Sequence, residues 1–226
     1  MSAPGLTLVS LLSHRRLGVQ LTTPARRARK LLHKYPHLCH LPIISEDKRY
    51  LALLPKNALH KVPADTPVES LMWVAVPPLP PYATIYDAVQ QMDFHKVSEI
   101  PVATDEGTYM GLITSKALLH WWGQLGAVRE PGTVMVLEVA LRDYSLAEIA
   151  QILESDEIRI LSAYLMPHKS DLHRTYVVLK VNSIYLSRSI DLLERKGYTL
   201  VALHGDALME KQAREQLSAL LRYLDI

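Results

Sequence analysis

The chain has one cysteine, one phenylalanine and nine glycines in 226 residues. One cysteine excludes a disulfide framework and a four-cysteine zinc site. So few glycines, set against fourteen prolines, exclude collagen-like and low-complexity chains. No stretch approaches the roughly 18 apolar residues of a membrane span. The N-terminal run carries its charges after its apolar residues, the wrong order for a secretory signal. The expectation is a cytoplasmic protein without membrane contact. No acidic residue precedes Glu46, although seven basic residues do, and the remainder of the chain is net negative. Such asymmetry marks either an anion-binding face or a surface complementary to acidic parts of the same chain or of a second copy.

What is present is enough apolar residue, 49% against 21% charged, to bury a core. At about 150 residues per domain the length suggests two or three small domains. An internal repeat organises the first half. Shifted by 59 residues, Leu41-Pro42-Ile43-Ile44 falls on Ile100-Pro101-Val102-Ala103, Tyr50–Leu54 falls on Tyr109–Ile113, and Ala58-Leu59 falls on Ala117-Leu118. Upstream, Thr7, Val9 and Leu12 fall on Thr66, Val68 and Leu71, and the helical stretch between fits with a one-residue slip. Each copy reads as helix, strand, turn, strand, helix. In the second, Thr84 caps a helix, Glu99–Ala103 and Tyr109–Ile113 are strands, and Thr114 caps a helix over Ser115–Trp122. In the first, the same elements are Pro24–Tyr35, Leu41–Ile44, Tyr50–Leu54 and Lys56–Lys61. Neither copy has enough core alone, so the two are expected to pack on each other.

The second half reads as βαββαβ, a ferredoxin-like order. The strands are Thr133–Ala140, Ile158–Met166, Thr175–Asn182 and Tyr198–Leu203. Ser145 and Glu148 have capping-box spacing before one helix, and Ser183 is placed to cap the other, which ends before Gly197. A final amphipathic helix is expected over Asp206–Leu224. The fold class is therefore mixed α/β, or α+β.

The patterns His40-Leu-Pro-Ile-Ile44 and Tyr109-Met-Gly-Leu-Ile-Thr-Ser-Lys-Ala-Leu-Leu119 resemble a paired CBS domain, a Bateman module. Leu141-Arg-Asp-Tyr-Ser-Leu-Ala-Glu148 and the element order resemble an ACT domain. The whole resembles a bacterial protein with CBS-like repeats at 7–62 and 63–128, an ACT-like domain at 133–204 and a C-terminal helix at 205–226. The resemblance implies a cleft for an adenosine nucleotide (AMP, ADP or ATP). Its residues would be Ile43, Lys56 and Ala58 in the first copy and Pro101, Val102, Thr114, Lys116 and Ala117 in the second. In the family pattern a Thr or Ser opens the last helix and an Asp three residues later grips the ribose. Here Thr114 is kept, Pro55 replaces it in the first copy, and both Asp positions are alanine, Ala58 and Ala117. Weak or absent AMP binding is expected, with phosphate contacts left to Lys56, Lys116 or Arg26 and Arg27. The ACT-like turn Asp143-Tyr144-Ser145 lacks the glycine of that family's amino-acid site, which leaves dimerisation as the plainer role.

No Gly-x-Ser-x-Gly, Gly-x-x-x-x-Gly-Lys or Gly-x-Gly-x-x-Gly occurs, and no catalytic residue is assigned. His33, His37, Cys39 and His40 form the densest metal-ligand group, but Pro36 breaks the helix between the first two, so no metal site is assigned. The Trp121-Trp122 pair reads as interdomain packing. The leading expectation is a non-enzymatic regulatory protein, a homodimer that signals ligand occupancy to a protein partner. One alternative is a ligand-free interaction scaffold. Another is a nucleic-acid binder through the basic N-terminal segment, disfavoured because that segment lacks interleaved aromatics and glycines.

Overall fold

The computed structural model describes residues 8–13 and 17–205. The expectations for Thr7 and for the helix over Asp206–Leu224 lie outside the described residues. The chain divides after Gly123 into two units, each with its own core.

The first unit contains α1 (Ala25–Lys34), β1 (His40–Ile44), β2 (Tyr50–Pro55), α2 (Ile85–His95), β3 (Glu99–Ala103), β4 (Tyr109–Thr114) and α3 (Ser115–Trp122). The repeat is visible bond by bond. β1 pairs with β2 with His40 opposite Pro55, β3 pairs with β4 with Glu99 opposite Thr114, and both hairpins carry an irregularity at the equivalent step. The slip lies at the end of the first helix, where α2 is one residue longer than α1. Buried Ala25 and Ala28 of α1 accordingly match buried Ile85 and Ala88 of α2. Upstream the match is Leu8 with Val68, not Val9 with Val68. Leu8 and Val68 are fully buried while Val9 is exposed, and the Leu8 and Val68 amides donate to equivalent carbonyls, Ala83 and Thr23.

Those last two bonds cross between copies. The leading segment of each copy enters the other: Ser13 exchanges backbone hydrogen bonds with Leu112 of β4, and Val74 does the same with Leu53 of β2. The turns also cross. Tyr50 N donates to Gly107 O at 3.1 Å, Tyr109 N donates to Lys48 O at 2.8 Å, and the two tyrosine rings stack with centroids 6.5 Å apart. One continuous apolar cluster results, and neither copy holds a separate core. Trp121 packs against this cluster and Trp122 is half exposed.

One element of the first copy departs from its expected form. Lys56–Lys61 is not a helix; only Lys56–Leu59 forms a single 3-10 turn. Pro55 stands before it without a side-chain cap, whereas Thr114 Oγ1 accepts from Ala117 N at 3.1 Å to start α3. After the turn, His60 is extended, Lys61 adopts φ 57° and Pro63 follows, so the helical path is lost.

The second unit contains α4 (Gly126–Arg129), β5 (Thr133–Ala140), α5 (Leu146–Glu154), β6 (Ile160–Pro167), β7 (Arg174–Val181), α6 (Ser187–Arg195) and β8 (Thr199–His204). Its strands form one antiparallel sheet in the order β6-β7-β5-β8. Thr133, Met135, Leu137 and Val139 alternate inward from β5, as a sheet with one covered face requires. Two capping expectations need correction. Ser183 bonds within its own turn at Tyr185, and α6 starts at Ser187 without a side-chain cap. Ser145 does accept from Glu148 N, but the return arm of the box is replaced: Ser145 N donates to the buried Tyr198 hydroxyl, and Glu148 lies beside Lys196.

Candidate anion-binding cleft

The chain entering β1 and the turn leaving β2 lie side by side because His40 pairs with Pro55 and Lys56 N donates to Cys39 O at 2.7 Å. A cavity of about 400 Å³ opens there, bounded by Cys39, His40, Pro55, Lys56, Asn57 and His60. That volume suits a small molecule. Three of the six lining residues are basic in type, and no carboxylate is among them. A carboxylate stands behind His40. Glu99, fully buried, accepts from Cys39 N at 3.0 Å, and its other oxygen lies 2.6 Å from His40 Nδ1. Glu99 and His40 hold equivalent places in the two copies, so the second copy anchors a wall of the first copy's cavity. With Nδ1 held, Nε2 is the ring nitrogen left for other contacts.

Of the residues expected from the resemblance, Lys56 lines this cavity. Ala58 is half-buried in the following turn. Ile43, Pro101 and Val102 are buried within their strands and line no part of it. Thr114 is buried with its hydroxyl engaged as the α3 cap, Ala117 is the residue whose amide it accepts, and Lys116 is exposed on α3. The eight thus belong to both copies, and Lys56 lines the cavity together with two residues that sequence reasoning missed, His40 and His60. A signal for His40 existed: the 59-residue shift sets a histidine against a glutamate. Arg26 makes an exposed ion pair with Asp65. Arg29 donates its Nε to Leu59 O at 3.2 Å and a terminal nitrogen to Val62 O, which pins the turn to α1. Among the described residues no group of three His, Cys, Asp or Glu is arranged to hold a metal ion, and no helix is long and apolar enough to cross a membrane.

A family model for the CBS domain matches residues 68–123, which lie in the second copy. Similar solved structures include a putative acetoin utilization protein (AcuB) from Vibrio cholerae, at 19% identity over 50% of this chain and 87% of that one, TM-score 0.45. Another is the CBS domains of a transcriptional regulator from Streptococcus pneumoniae, at 15% identity over 51% and 98%, TM-score 0.47. A third is CBSX2 in complex with AMP, at 19% identity over 53% and 98%, TM-score 0.47.

Proposed function

We propose that this chain is a non-enzymatic regulatory protein whose first copy binds an anionic ligand of the adenosine-nucleotide class and passes that occupancy to a protein partner. The observation that carries this reading is the cavity walled by His40, Lys56 and His60 without a carboxylate. An anionic ligand there meets the Lys56 ammonium and the side chains of two histidines, and the Glu99–His40 contact ties its wall to the second copy. A ligand that favours one arrangement of the two copies then shifts the population of the whole unit. Because Ala58 and Ala117 offer no ribose carboxylate, phosphate charge rather than the nucleoside dominates affinity. A thermal-shift panel of nucleotides, amino acids and polyphosphates tests this. Stabilisation by phosphorylated compounds that declines with added salt is expected; stabilisation by amino acids alone contradicts it.

The partner surface is read from the second copy, where Tyr86 and Phe94 of α2 and Leu119 and Trp122 of α3 are exposed. Exposed apolar groups in that number suit a protein contact. The expected homodimer, argued in sequence from the Asp206–Leu224 stripe and the ACT-like sheet edge, is kept as part of this reading. Light scattering at micromolar concentration should return twice the 25.5 kDa chain mass; a monomer contradicts it.

A further inference from the structure

A groove lies beside the shortened element of the first copy. After Thr114, α3 runs for eight residues and buries Leu118. After Pro55, the corresponding chain makes one 3-10 turn and leaves. Beside that turn is a second cavity of about 370 Å³, floored by Leu32 and Leu59 and rimmed by Arg29, His33, His60 and Lys61. It shares Lys56 and His60 with the first cavity, so the two adjoin.

Most of the basic rim is particular to this copy, although His120 stands at the place equivalent to Lys61. The places equivalent to Arg29 and His33 are Val89 and Asp93 on α2, and those equivalent to Lys56 and His60 are Ser115 and Leu119 on α3. No carboxylate lines either cavity. Arg29 is held in place by the carbonyls of Leu59 and Val62, which use two of its five N–H donors. Lys61 sits at φ 57°, a left-handed conformation where glycine or asparagine is the usual occupant. A side chain that tolerates this backbone poorly is nevertheless a cation at the rim.

We propose that the ligand carries a chain of linked phosphates, and that this chain runs past Lys56 and His60 into the groove beside α1, where Arg29, His33 and Lys61 hold its distal charges. This rests on the ligand reading above and extends it from one cavity to two. A linear polyanion fits because the basic groups extend from one small cavity into the next, whereas a single phosphate could occupy only one of them. Two sources share this chemistry, a nucleoside polyphosphate and free inorganic polyphosphate.

Isothermal titration calorimetry on the full chain, at constant ionic strength, tests the proposal with orthophosphate, tripolyphosphate, AMP and ATP. Tripolyphosphate should bind at least about tenfold tighter than orthophosphate, and ATP at least about tenfold tighter than AMP, one charge-assisted contact being worth roughly that factor. Lys61→Gly relieves the backbone and removes only the charge, so it folds at least as well as the parent. It and His33→Gln should each weaken ATP and tripolyphosphate severalfold and leave AMP unchanged. ATP tighter than tripolyphosphate assigns the chain to a nucleotide; equal affinities assign it to inorganic polyphosphate; both support the groove. Equal binding of AMP and ATP, unaffected by Lys61→Gly, overturns the groove while leaving the first cavity as the ligand site. A polyglutamate peptide that displaces tripolyphosphate at lower concentration overturns it in favour of an acidic protein segment. Absence of binding by every phosphate compound overturns both readings.

Discussion

Tyr50 and Tyr109 occupy equivalent places, and their stacked rings sit where the two copies exchange backbone hydrogen bonds. Burial pushes both phenols well above the usual tyrosine range, and the neighbouring Tyr50 adds to the rise at Tyr109. The sign follows directly. A folded-state value above the unfolded one leaves stability intact below about pH 10 and removes it as pH rises further, because only the unfolded chain ionises freely. Alkaline titration followed by phenolate absorbance and circular dichroism should therefore show these two tyrosines ionising together with loss of structure. The Tyr50 hydroxyl is buried without a hydrogen-bond partner, and such a group costs about 1–3 kcal/mol. Tyr50→Phe should accordingly raise stability by about 1 kcal/mol in urea unfolding; a loss of stability would show that the hydroxyl is satisfied.

At the level of elements, the contrast between α3 and its shortened counterpart was half legible. Ala58-Leu59 matches Ala117-Leu118, and that match suggested a helix in both copies. The capping residue decides otherwise. Thr114 supplies a side-chain acceptor to the first turn, while Pro55 supplies none, and the positive φ at Lys61 closes the path. The same contrast orders two substitutions. Ala117→Asp places a carboxylate three residues after a capping threonine, the arrangement that Thr84 and Asp87 already form as a reciprocal capping box at α2. The helix start is thus ready to hold it. Ala58→Asp falls in a turn without a cap. Calorimetry should find AMP binding strengthened more by Ala117→Asp than by Ala58→Asp; the reverse order would contradict the reading of the two helix starts. The ferredoxin-like order of the second unit was legible because Met135, Leu137 and Val139, and Val177, Leu179 and Val181, alternate with period two. Ser183 was misread because a capping residue type within reach of a helix does not fix where that helix begins.

For the whole molecule, the repeat disclosed two copies packed into one body, since each lacks a core of its own. It did not disclose that their leading segments cross, for pairing between Ser13 and Leu112 or Val74 and Leu53 leaves no local pattern in sequence. Nor did it join His40 to Glu99, a contact made only when the two hairpins meet. Lys56 was legible as a residue of the proposed site from its place after β2; His60 was not, because a helix there would have carried it onward in the way α3 carries Leu119. The central claim is that the first copy holds an anion between Lys56, His40 and His60. The most direct test is calorimetric titration of ATP into the full chain and into a Lys56→Ala, His60→Ala double variant, with circular dichroism confirming that both are folded. The account predicts salt-sensitive binding to the parent chain and a loss of about tenfold or more in the variant. Binding of equal strength to both proteins would contradict it.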